Sequence, residues 1–103
     1  MLKWHKNLIK GEKVKHAHHI RQRLNAGRAL PGIYLITLSE NPNNTLEIVP
    51  ALTLVQESAA MMCPEIIGIA SGSDEALEMV QNIIQQIYDE TGDLKIKEYW
   101  ENR

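Results

Sequence analysis

Phenylalanine is absent from this 103-residue chain, and rings enter only at Trp4, Trp100, Tyr34, Tyr88 and Tyr99. Any core must therefore be mainly aliphatic. Cysteine occurs once, at Cys63, which excludes an internal disulfide and leads us to expect a reducing, cytoplasmic setting. No apolar run approaches the roughly 18 residues that a membrane span requires, so no membrane partner is expected. Lys, His and Gly break up Met1 to Gly11 before the apolar block of a signal peptide can form. Acids are nearly missing from the first 28 residues, where Glu12 stands alone against Lys3, Lys6, Lys10, Lys13, Lys15, Arg21, Arg23 and Arg28. All four histidines, His5, His16, His18 and His19, share that basic end. The net charge of −2 thus hides a strongly polarised chain, which bears on partners and not on fold.

What is present is ordinary for a globular protein: 44% apolar and 23% charged residues, enough for one core at this length. Between Glu12 and Ala26 no Pro or Gly intervenes. Val14, Ala17, Ile20 and Leu24 recur there at spacings of three and four, which predicts an amphipathic basic helix stopping near Gly27. The turn at Leu30-Pro31-Gly32 precedes Ile33–Leu38, β-branched and apolar enough for a strand covered on both faces. A polar loop, Ser39 to Asn44, follows. Pro50 excludes a regular central strand through 45–50 but suits a first helical position, so a helix is expected from Pro50 to about Met61. Pro64 ends it, and Glu65–Ala70 reads as a second buried strand.

Ser71-Gly72-Ser73 is a tight loop in which Ser73 is expected to cap the next helix, with Asp74 and Glu75 at its positive end. Ala76, Leu77, Val80, Ile83, Ile84, Ile87 and Tyr88 form the strongest helical stripe in the chain, and Gly92 suits a left-handed stop. The fold class expected is α/β: one domain over 1–103, with a basic segment at 1–28 and a βαβα core and tail at 29–103. Its sheet should hold two or three mainly parallel strands, because a crossover between Ile33–Leu38 and Ile66–Ala70 would be right-handed. Leu8-Ile9 or Leu46–Val49 would supply the third strand.

Several short segments together carry a resemblance. They are Trp4-His5-Lys6-Asn7-Leu8, the basic stretch ending in Asn25-Ala26-Gly27, Ile33–Leu38, and Asn41-Pro42-Asn43-Asn44. Ile67–Gly72 with Glu75–Glu78, and Tyr88 through Gly92 to Tyr99, complete the set. Over nearly its full length the chain resembles a family of small uncharacterised proteins from gut-dwelling clostridial bacteria. The resemblance implies a stand-alone domain. It brings no established activity and no functional residue.

Two constellations are candidates for function. Ligands of open parallel sheets bind at the carboxyl ends of strands, where Ser39 and Asn41 follow the first strand and Ser71, Gly72 and Ser73 the second. Capping and turn chemistry is the competing explanation for all five, since Asp74 and Glu75 stand where a phosphate would need a positive field. Neither loop holds a Lys or Arg, and Gly68-x-x-x-Gly72 matches no nucleotide fingerprint. The second candidate is the basic face carrying Lys13, Lys15, His16, His19, Arg21 and Arg23. His16 and His19 share one side of a helix, but Glu12 is the only nearby carboxylate and the flanking cations oppose a metal, so no metal or other cofactor is expected. Nucleic acid would need aromatic interleaving or a recognised motif, and both are missing. Cys63 has no basic sequence neighbour and no nucleophile elbow occurs, so catalysis is not expected. The function expected is a non-catalytic interaction module, self-associating or bound to another protein's acidic surface. A small-anion or nucleic-acid binder is the alternative.

Overall fold

Strands form where β-branched and aliphatic residues run on without a helical stripe. A computed structural model describes residues 2–28, 30–39, 46–92 and 96–101. Its strands are β1 (Trp4–Lys10), β2 (Ile33–Leu38), β3 (Leu46–Pro50) and β4 (Ile66–Ser71). The helices are α1 (Ala17–Asn25), α2 (Glu57–Met62), α3 (Ser73–Thr91) and α4 (Ile96–Glu101), with a 3-10 segment at Ala51–Val55. No helix among the described residues is long and apolar enough to cross a membrane.

The chain is α/β, as expected, but the sheet is larger and differently wired. Four strands lie in the order β1-β4-β2-β3, so both candidate third strands are used, one at each edge. β2 and β4 are adjacent but antiparallel, with Ile33 opposite Ser71 and Ile36 opposite Gly68, which corrects the parallel pairing expected from the sequence. The reason lies in the connection. β2 pairs with β3 as an antiparallel hairpin, Leu38 opposite Leu46 and Tyr34 opposite Pro50. The crossover through α2 therefore starts from β3, skips β2 and delivers β4 on its far side. β4 finds its parallel neighbour in β1. Pro50 ends an edge strand, where a residue without an N–H is tolerated.

Two helix expectations are also corrected. The basic helix begins at Ala17 and not near Glu12, because Gly11–Val14 closes a turn through Val14 N–H to the Gly11 carbonyl. His16 then enters the helix in the left-handed region, at φ 58°. The helix expected from Pro50 to Met61 is broken at Gln56, which is extended at φ −75° and ψ 126°. Upstream of the break, the Thr53 hydroxyl donates to the Pro50 carbonyl, a local bond that competes with regular helix.

Helices cover both faces of the sheet. On one, Ile36, Leu38, Ile67 and Ala70 pack with Ala76, Met79, Ile83 and Ile87 of α3 and with Ile96 and Trp100 of α4. On the other, Leu35, Ile66 and Ile69 pack with Leu24 of α1, Ala51, Leu54 and Cys63. β4 serves both layers: Ile66 and Ile69 join one cluster, Ile67 and Ala70 the other. That three-residue spacing fits the register shift between Ile36 and Thr37. α3 stops at Gly92, whose φ of 75° is the left-handed stop expected there.

Candidate functional site

The topology builds one crevice. β1 and β4 run parallel and end side by side at Lys10 and Ser71. α1 follows β1 on one face and α3 follows β4 on the other, the arrangement that opens a binding site at the carboxyl ends of strands. A cleft of about 330 Å³ lies there, lined by Ile9, Lys10 and Glu12 on one side and by Glu78, Met79 and Ile83 on the other.

Its anion-attracting donors are already taken. Glu75, in the first turn of α3, is buried, and its Oε1 accepts the Ser71 N–H while its Oε2 accepts the Lys13 N–H, each at 2.9 Å. A carboxylate at this place also meets the positive end of α3. Gly11 makes room for it: a Cβ at that position would lie 1.9 Å from Glu75 Oε1. The side chain thus joins the loop after β1, the end of β4 and the start of α3 at a single point.

The strand-end residues named from the sequence do not meet. Ile33 pairs with Ser71 and Thr37 with Ile66, so Ser39 lies at the opposite end of the sheet from Ser71, Gly72 and Ser73. Ser39 is buried, its hydroxyl donating to Glu47 Oε1 at 2.9 Å, and Asn41 lies outside the described residues. The Gly72 N–H donates to the Gly32 carbonyl at 2.7 Å. Ser73 is exposed and is the first residue of α3; Gly72 occupies the cap position, without a side-chain bond. Capping by Ser73 is corrected accordingly. Glu75, the third helical residue, reaches back instead to the Ser71 N–H, one residue short of the N-cap amide that a capping box engages. Its position three residues after Gly72 was the available sequence signal. What the sequence did not separate was Glu75 from Asp74, which is exposed.

The residues of the expected basic face are exposed, with one exception, and Lys13 lies at the Glu75 cleft. Lys13, Lys15, His16, His18, His19 and Arg23 are exposed. Arg21 is half-buried, its guanidinium 5.1 Å from the centre of the Trp4 ring, and Trp4 Nε1 donates to Asn25 Oδ1 at 2.9 Å. Arg21 and Trp4 thereby hold α1 to β1. His16 and His19 stand edge to face with ring centres 6.2 Å apart, and with Ile20, Arg23 and Leu30 they line a shallow groove. Among the described residues no group of three His, Cys, Asp or Glu side chains is placed to hold a metal ion. No ion pair joins Lys13, Lys15 or Arg23 to an acid among those residues.

Two other reactive side chains are structural. His5 is buried; its Nδ1 accepts the Asn7 N–H and its Nε2 donates to the Trp100 carbonyl, each at 3.0 Å. The ring proton is placed on Nε2 because the Asn7 amide can only donate. Burial pushes the Cys63 thiol above its usual range, with Lys3 opposing and Glu47 reinforcing the shift. That is the reverse of an activated nucleophile. Comparison with protein-family models, with curated proteins and with solved structures finds no match for the chain.

Proposed function

We propose that the protein is a non-catalytic, cytoplasmic interaction module that contacts an acidic protein surface through α1. The observation that carries this is the unpaired state of the basic face. Within α1, His18, His19, Arg21 and Arg23 are accompanied by no acid, and Lys15 and Arg23 point their charge at solvent without an ion-pair partner among the described residues. A cation face that is not neutralised internally attracts and orients an anionic partner. A protein is favoured over nucleic acid because the same layer of the molecule exposes apolar side chains. Leu52, Val55, Met61 and Met62 are exposed, the last two at 75% and 82%, and α2 buries none of its residues. Exposed methionines suit an adaptable protein contact and offer nothing to a phosphate backbone.

Titration of a Trp100→Phe variant with poly-glutamate and, separately, with a single-stranded oligonucleotide tests this, with Trp4 fluorescence as the reporter on α1. Poly-glutamate is expected to bind, and Lys15→Glu with Arg23→Glu to abolish binding. Oligonucleotide binding that falls steeply with salt, with none to poly-glutamate, would favour the nucleic-acid alternative.

A further inference from the structure

The opposite face of the molecule carries the complement of α1. α3 holds five acids, Asp74, Glu75, Glu78, Asp89 and Glu90, and no Lys or Arg. Only Glu75 among them is buried. At 100° per residue, Asp74, Leu77, Gln81, Gln85 and Tyr88 fall on one outward stripe, with Glu78 at its margin. Leu77 and Tyr88 are each 53% exposed, so this acidic surface also presents apolar side chains that the protein's own core leaves uncovered. The groove on α1 has the reciprocal design: Ile20 and Leu30 are half-buried, and His16, His19 and Arg23 surround them.

We infer that a second copy of this chain is the partner, its Leu77 seating on Ile20 and Leu30 while Asp74 and Glu78 face His19 and Arg23. The inference rests on the function proposed for α1 and names the acidic surface that α1 meets. α1 and α3 pack on opposite faces of the sheet, so one molecule cannot join its own two surfaces. The contact is therefore heterologous, head to tail, and a pair keeps one free groove on one copy and one free α3 face on the other. An apolar anchor flanked by charges and laid into a groove is a known mode of helix recognition. Opposite charge sets the register.

Sedimentation of the full chain over a concentration series tests it. Average mass is expected to rise with concentration and to fall back towards the monomer as salt increases from about 0.05 to 0.5 M. Two double variants, each confirmed as folded by circular dichroism, then separate the surfaces: His19→Glu with Arg23→Glu, and Leu77→Asn with Glu78→Gln. Each alone is expected to be monomeric. Mixed, they are expected to form a one-to-one pair and nothing larger, because one intact groove and one intact α3 face remain between them. The milder Arg23→Gln and Leu77→Ala are each expected to weaken association severalfold while leaving the fold untouched. A wild-type protein that stays monomeric, a groove variant that still associates, or a mixture of folded variants that does not pair would overturn the inference. Poly-glutamate binding in any of those cases would leave the function proposed for α1 standing, and its absence would remove that as well.

Discussion

Glu75 and Gly11 act as one unit, and their energetics follow from geometry. Removing the carboxylate strands two backbone donors, on Lys13 and Ser71. A fully buried donor left without a partner costs about 1–3 kcal/mol, and these two are only partly buried, so Glu75→Ala is expected to lower the unfolding free energy by about 1 kcal/mol. Glu75→Gln should cost less, since one of its oxygens still accepts. Gly11→Ala drives a methyl group into the carboxylate, at 1.9 Å from Oε1. It should therefore be destabilising alone and nearly neutral once Glu75 is Ala. A double-mutant cycle by urea denaturation measures this coupling, expected at about 1–3 kcal/mol; additive costs would contradict the contact. Cys63 makes a second residue-scale prediction. Its thiol, raised chiefly by burial, keeps its proton to higher pH in the folded chain than in the unfolded one. Its contribution to stability is thus present below the unfolded thiol's value of about 8.5 and is lost as pH climbs through the folded value. Near neutral pH a disulfide reagent should modify native Cys63 only as fast as the protein opens, and denatured Cys63 at once.

Short elements depend on tertiary anchors, which is where sequence patterns lose resolution. α4 spans Ile96–Glu101, far below the dozen or so residues at which an isolated helix becomes marginal. It is held by buried Ile96 and Trp100 and by His5, whose ring lies edge to face with Trp100 at 5.0 Å. His5→Phe keeps a ring and loses both hydrogen bonds. Amide exchange is expected to quicken in 96–101 and to stay slow in β4; a uniform change across the chain would refute the tether. Long periodic segments were legible as elements: α3, its stop at Gly92 and the apolar runs of β2 and β4 appear where the pattern put them. The buried α3 stripe is narrower than the pattern implies, since Leu77 and Tyr88 are exposed and Met79 is buried in their stead. β1 and β3 were harder, because edge strands mix polar and apolar residues and lack a two-sided apolar run. Missing β3 as a full element reversed the direction inferred for β4. Pro50 is compatible with a helix start and with the end of an edge strand alike, and only the pairing with Tyr34 decides between them. At the candidate site, the exposure of Lys13, Lys15, His16, His19 and Arg23 follows from their charge and polarity, whereas the seating of Arg21 on Trp4 does not. The Glu75 contact could not, since Lys13 lies 62 residues away in sequence.

At the scale of the whole molecule, β4 ties the two layers together. Ile66 and Ile69 belong to the α1 side, and Ile67 and Ala70 to the α3 side of the same short strand. Neither layer can melt while β4 keeps its other face packed, so the chain is expected to unfold in one cooperative step. The two tryptophans allow a direct test, because Trp4 packs against the cluster under α1 and Trp100 is buried in the cluster under α3. In a Trp100→Phe variant the fluorescence reports the α1 layer, and in Trp4→Phe it reports the α3 layer. Each variant will differ from the parent in stability, since Trp100 is a large buried side chain and Trp4 bonds to Asn25. The comparison is therefore made within each variant, between its fluorescence transition and its far-ultraviolet circular dichroism in urea. The two curves are expected to coincide in both proteins. A Trp4 signal that changes at lower urea than the dichroism would mean that α1 and its layer detach first. The basic surface would then ride on a separable element, and a partner gripping α1 would stabilise that layer without stabilising β4.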